Sequence, residues 1–282
     1  MSSGAGENDG REGARSGGAG AGWPAAPLGH ALPVVERIRA ARRAGVVLTC
    51  EHASNALWDL DLGCPRDWPE EDRHVSTDHW AYDPGAAELT RLVAHRLGLG
   101  AVLAGFSRLQ CDPNRDLHEP SLMRSECDGH ELALNRGLSA AGRLARIDAL
   151  WRPYHAATEA LVRAHTPRLV LSFHSFTPCY EGRRREVQVG VLHHDDDSPL
   201  PRAFLEAFRA ASGGPLGAAD VRFNEPWPGT VMYGPDRCAA VVGALPLELE
   251  LRNDLVTRPD VREWAAGVVE SVLRAHGLLE ES

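Results

Sequence analysis

The chain has 282 residues, a net charge of −9 and 43% apolar residues. That is enough apolar material for one large α/β domain or two small ones, and no apolar run reaches the length of a membrane span. The acidic balance, with no long basic run, argues against a nucleic-acid partner. All thirty basic residues are arginine, which excludes a lysine Schiff base and a P-loop lysine.

Residues 1–22 hold eight glycines and no apolar pattern, and they read as a disordered tail. Residues 23–282 then form a single α/β domain. The N-terminus has no apolar segment before a cleavage site, so no secretory signal is expected. Six cysteines (Cys50, Cys64, Cys111, Cys127, Cys179 and Cys238) lack CxxC pairing. They read as free thiols in a reducing compartment, which suggests a cytoplasmic protein.

The spacing predicts a helix over Leu32–Arg43. The run Val46 to Cys50 predicts a buried strand that ends in Glu51-His52-Ala53-Ser54-Asn55. Trp58 to His74 reads as a loop with a short helix. Asp83-Pro84-Gly85 opens the next helix, with Asp83 as N-cap and Gly98 as its end. Ala101–Phe106 is a second strand, running into the polar stretch Ser107 to Arg115.

Glu131 to His165 is mostly helical, with a break near Gly142 or Pro153. Leu169–His174 and Val187–Leu192 are the third and fourth strands. A helix follows over Leu200–Ala211, then a hairpin or loop excursion over Val221–Pro235. Leu247 to Arg252 alternates strictly, with Glu248, Glu250 and Arg252 on one face. An amphipathic helix closes the chain from about Pro259 to His276. Strands alternating with helices predict an α/β fold with a mixed, mostly parallel sheet flanked by helices.

Four polar clusters follow or end these strands: Glu51 to Asn55, Ser107 to Arg115, His174 to Pro178, and Glu250 to Asp254. In α/β sheets ligands bind at the C-terminal strand edge. Two histidines from different strands can hold zinc, which lowers the pKa of water and polarises a carbonyl. A carboxylate such as Glu250 can move the proton, and arginines can grip a substrate carboxylate. Each cluster also has a plainer reading. An alternating Glu face is commonly solvated. Arg108 and Arg115 can pair with Asp112 or Asp116. His193 to Asp197 reads as an exposed loop. No GxSxG elbow or phosphate-binding glycine loop occurs.

In order along residues 45 to 275, these motifs resemble the N-formylglutamate amidohydrolase family. They are Cys50 to Asn55, His79 to Ala86, Ser107-Arg108-Leu109 with Asp112 and Asn114-Arg115, and Pro153-Tyr154-His155. His174 to Pro178, Gly190-Val191-Leu192, Asn224-Glu225-Pro226 and Glu250 to Asp254 follow. The resemblance implies a fold similar to zinc-dependent carboxypeptidases and deacylases (phosphorylase/hydrolase-like). It implies hydrolysis of a linear amide in a small anionic N-acyl amino acid, with a place in histidine degradation. By that resemblance His52 and His174 hold one zinc ion, and Glu250 is the general base. Asn55, Arg108, Asn114, Arg115 and Arg252 meet the substrate. The third ligand is Asp83, Glu51 or Asn55. Asp83 is slightly preferred, because Glu51 would point away from His52 along a persisting strand. A deacylase or peptidase for another N-acyl amino acid is the runner-up. A non-catalytic carboxylate-binding protein that kept the fold and lost the metal is the reading from another class.

Overall fold

The computed structural model describes residues 33–279 apart from positions 181, 196, 212 and 213; the glycine-rich stretch 1–22 lies outside them. In chain order the main elements are β1 (Val35–Ile38), β2 (Val46–Cys50), α1 (Ala86–Leu97), β3 (Ala101–Ala104) and α2 (Ala140–Arg146). Next come α3 (Arg152–His165), β4 (Leu169–Phe176), β5 (Val189–Leu192), α4 (Pro199–Ala210) and β6 (Val221–Phe223). The last four are α5 (Tyr233–Ala240), β7 (Leu245–Arg252), α6 (Asn253–Val256) and α7 (Pro259–Ala275).

Seven strands form one sheet in the order β1-β3-β2-β4-β7-β5-β6. The central four, β3, β2, β4 and β7, are parallel. β1 pairs antiparallel to β3, and β5 antiparallel to β7. The sheet is thus mixed and mostly parallel, with helices on both faces, as the alternation of strands and helices predicts. The β2 and β4 runs are buried along their whole length, which is why they read as continuous apolar runs.

Two segments differ from the sequence expectation. Val35–Ile38 is an edge strand, not part of a helix: it pairs with β3 from Val35↔Ala104 to Ile38↔Ala101. Its β-branched residues, Val35 and Ile38, favour extended backbone. Tyr233–Ala240 is a helix where a hairpin or loop was expected to run to Pro235. The break expected near Gly142 or Pro153 is a π-helical turn, Ile147–Trp151, between α2 and α3. It accommodates the missing Pro153 N–H without ending the helix.

One face of the sheet carries the main apolar core. Leu171, Phe173, Leu247, Leu249 and Leu251 pack there with Leu89, Val93, Phe204 and Val269. Helices α1, α4 and α7 supply that layer; α3 and α5 cover the other face. Gly190 in β5 has a specific steric cause: an added Cβ would lie 2.0 Å from the carbonyl oxygen of Glu225. Gly190→Ala is therefore expected to destabilise the fold by about 1–3 kcal/mol, read as a shift in the urea midpoint. All six cysteines are free. Among the described residues no helix is long and apolar enough to cross a membrane.

Candidate metal centre

Register brings the chemistry together. Thr49 pairs with Ser172, and Glu250 pairs with His174. The C-terminal ends of β2, β4 and β7 are therefore level, and Glu51-His52, His174 and Glu250 share one edge. Alternation puts Ser172, His174, Glu248 and Glu250 on the face opposite the leucine layer. That polar face is not solvated. Glu248 is 2% exposed, Glu250 3% and Arg252 8%, and α5 packs on β4 and β7 over that face.

The centre is a group of three buried side chains. His52 Nδ1 is 3.1 Å from His174 Nδ1 and 3.3 Å from Asp83 Oδ2. His174 Nδ1 is 2.8 Å from the same Asp83 oxygen. Ligands sharing a tetrahedral ion at about 2.1 Å lie about 3.4 Å apart, so this spacing is close to that of a metal site. Asp83 is not the N-cap of α1. The cap is Gly85, and the Asp83 side chain turns to the histidines and accepts from the Ser175 N–H. The Asp83 N–H donates to the His52 carbonyl, which ties the two segments together.

The second nitrogen of each ring is held by a carboxylate. His52 Nε2 donates to Asp112 Oδ1 at 2.8 Å, and His174 Nε2 to Glu51 Oε2 at 3.0 Å. These bonds keep an N–H on the Nε2 of each ring and leave both Nδ1 atoms facing the Asp83 carboxylate. Against the effect of burial, the Glu248 charge and the hydrogen bonds to Asp83 and Glu51 hold the His174 pKa well above the usual imidazole range, so a bound cation would take the place of the proton between His174 and Asp83. The surrounding charge says the same: Glu51, Asp83, Asp112, Glu248 and Glu250 are all buried, with Arg108 beside them. The residues present therefore fit a divalent cation held by two imidazoles and one carboxylate. Glu51, the competing ligand of the sequence reading, stands behind His174. It is fixed there by the Tyr154 hydroxyl at 2.8 Å and by the Ser172 hydroxyl.

The proton affinities follow from this packing. Burial raises the Glu51 carboxyl, but hydrogen bonds from His174, Ser172 and Tyr154 outweigh it and hold the pKa at about 2. Burial likewise opposes the charge on Asp112, yet Arg108 and His52 keep it well below the usual carboxylate range. Glu250 goes the other way. Burial, then the Glu248 charge, push it well above that range. Burial also raises Glu248. One oxygen on each of these two glutamates is buried without a hydrogen-bond partner, so both hold unused acceptor capacity.

The histidines, Asp83, Glu248 and Glu250 line a cavity of about 220 Å3. Arg108, Asn114 and Arg115 line it as well. Arg108 is tied to Asp112 at 3.0 Å and to Asp83 at 3.5 Å, as the plainer reading of that pair expected. Arg115 pairs with Glu119 rather than Asp112 or Asp116. Two expected substrate contacts are absent from the cavity wall. Asn55 spends its amide on the Ser76 carbonyl at 2.7 Å, and its own carbonyl takes the Trp68 indole N–H. Arg252 pairs with Asp254 and donates to the Arg185 carbonyl.

Asp112, Tyr154 and Arg185 carry more of the site than the sequence reading gave them. Asp112 was readable: it is the acid before Asn114-Arg115, and it also accepts from the Asn114 N–H. His155 lies outside the cavity and donates to the Pro113 carbonyl at 3.1 Å, steadying the same loop. Of the run after β5, His194 is exposed and pairs with Asp236, while His193 is buried against the Pro246 carbonyl. Asp112→Ala is expected to weaken metal binding by about 10–100-fold while the fold persists. Competition with a fluorescent chelator measures this.

A family model described as N-formylglutamate amidohydrolase matches residues 44–257. No curated protein matches the chain. Among solved structures, a gene product of Agrobacterium tumefaciens is 31% identical, covering 86% of this chain and 94% of that chain at a TM-score of 0.70. An N-formylglutamate amidohydrolase from Ralstonia eutropha shares the fold at 19% identity, covering 88% of this chain and 98% of that one at a TM-score of 0.61. With three quarters of its length matched to one family model, and with the motifs of its strand ends forming the centre described above, the chain belongs to the N-formylglutamate amidohydrolase family.

Proposed function

We propose that the chain is a metal-dependent hydrolase of the amide bond in a small N-acyl amino acid. N-formyl-L-glutamate, cleaved to formate and L-glutamate, is the first substrate to test. The observation that carries the reading is the convergence of His52, His174 and Asp83 in a cavity that also holds Glu248 and Glu250. Zinc suits two imidazoles and a carboxylate, and when bound it supplies Lewis acidity toward an amide carbonyl and a lower pKa for water.

The chain's own groups do the rest. Glu250 takes the proton from the attacking water and hands it to the leaving nitrogen, which would otherwise depart as an unstable anion. A carboxyl whose proton affinity is raised by burial and by Glu248 suits both halves of that transfer. Arg115 and Asn114 at the cavity wall bind the substrate's α-carboxylate, with Trp151 and Gly234 fixing their loop. Arg108 holds Asp83 and Asp112 in place. Retention of both histidines together with the buried glutamates favours an enzyme over a non-catalytic carboxylate-binding protein.

The test is formate or acid release by the purified chain from N-formyl, N-acetyl and N-succinyl derivatives of glutamate and aspartate. About one zinc per chain is expected by elemental analysis. Full activity in metal-free protein overturns the reading.

A further inference from the structure

The mouth of the cavity carries two arginines that the reaction above does not use. Arg185 lies against three aromatic rings, 4.5 Å from the Trp227 centroid, 4.9 Å from Tyr180 and 5.7 Å from Phe176. Arg124 lies 5.1 Å from the Trp80 centroid. Both arginines line the same cavity as the histidines and Glu250. Among the described residues neither has a carboxylate within ion-pair distance; the Arg185 guanidinium donates to the Thr177 carbonyl, at 3.3 Å.

This contrasts with the other arginines of the site. Arg108 is held by Asp83 and Asp112, Arg115 by Glu119, and Arg252 by Asp254. Arg124 and Arg185 are half-buried, and the rings beside them remove water and hold the planar forks in place. A guanidinium prepared in this way binds a carboxylate with two parallel hydrogen bonds. Arg185 is itself anchored from below: its N–H donates to the Pro178 carbonyl at 2.8 Å, and its carbonyl accepts from Arg252 at 3.3 Å. Arg252, expected to touch substrate, thus supports the backbone of Arg185 instead.

We propose that Arg124 and Arg185, stacked on Trp80 and on Trp227, Tyr180 and Phe176, form an anion clamp for the substrate's second carboxylate. Resting on the hydrolase reading for its reaction, the clamp makes the site selective for N-acyl amino acids with an acidic side chain. A neutral side chain leaves two partly desolvated cations unpaired, and that mismatch sets the selectivity.

The test uses glutarate and butyrate as probes, read by tryptophan fluorescence or calorimetry on the full chain as purified. Glutarate is expected to bind at least about 10-fold more tightly than butyrate. Arg185→Gln and Arg124→Gln, made separately, are each expected to erase that preference, and Arg185→Lys to restore part of it. In hydrolysis, the ratio of kcat/KM for N-formyl-L-glutamate over N-formyl-L-glutamine is expected to fall at least about 10-fold in Arg185→Gln. Equal binding of the two probes by the unmodified chain overturns the clamp. So does a glutarate preference that survives both substitutions. Glutarate preference without hydrolysis of any amide supports the clamp and overturns the hydrolase reading instead.

Discussion

Glu250→Gln is expected to lower kcat by at least about 10²-fold, with metal content and substrate affinity nearly unchanged. The substitution keeps the size of the side chain and removes its basicity. Glu248→Gln is the control and is expected to be milder. Both glutamates are buried on one face of β7, but they stand at different depths. Glu250 pairs across the sheet with His174, near the open strand edge. Glu248 pairs with Ser172, one step further in, and its carboxylate lies 3.6 Å from His174 Nε2, the nitrogen facing away from Asp83. Glu248 therefore acts on the histidine, and Glu250 is the one with room to meet a reacting atom. Steady-state kinetics on the two variants decide the matter. An active Glu250→Gln beside a dead Glu248→Gln means that the proton carrier is Glu248.

His52→Ala and His174→Ala are expected to lose the metal and, with it, measurable activity. Each ring supplies one of three converging donors, and two donors alone do not retain an ion through purification. Elemental analysis of the dialysed proteins measures the loss, and circular dichroism controls for folding. Asp83→Ala is expected to behave in the same way. Asn55→Ala, whose side chain serves the Ser76 carbonyl, is expected to keep both metal and KM. Full metal occupancy in His174→Ala would place the ion elsewhere, with Glu248 and Glu250 as the nearest alternative donors.

The strands that build the site were legible because burial on both sides leaves a continuous apolar run that gives way abruptly to polar residues. Val46 to Cys50 runs into Glu51-His52, and Leu169 to Phe173 into His174. The glutamate face of β7 was legible as a pattern but not in its exposure: alternation gives direction, and only the helices packed above decide whether water reaches it. Asn55 and Arg252 belong to the motifs that carry the resemblance, and the resemblance made them candidates. Their partners, Ser76 and Asp254, are visible only in space. β1 and α5 were misread for another reason. Val35–Ile38 is too short for either period to dominate, and the prolines and glycines around Tyr233 mask a helix held by its packing on β4 and β7. Arg185 carried no signal, since nothing in the chain announces three rings gathered from distant segments.

The pairing of β4 with β7 also has a consequence for how the chain matures. Ser172, His174, Glu248 and Glu250 occupy alternate positions, with leucines and a phenylalanine between them. Sliding β7 by one residue would drive two carboxylates into the hydrocarbon layer and bring leucines up to the histidines. The three converging donors, His52, His174 and Asp83, all lie off β7, so a slipped β7 leaves them in place and removes only the glutamates beside them. Recovery of ion binding during refolding is therefore expected to report on β2 and β4, and recovery of hydrolysis on the phase of β7.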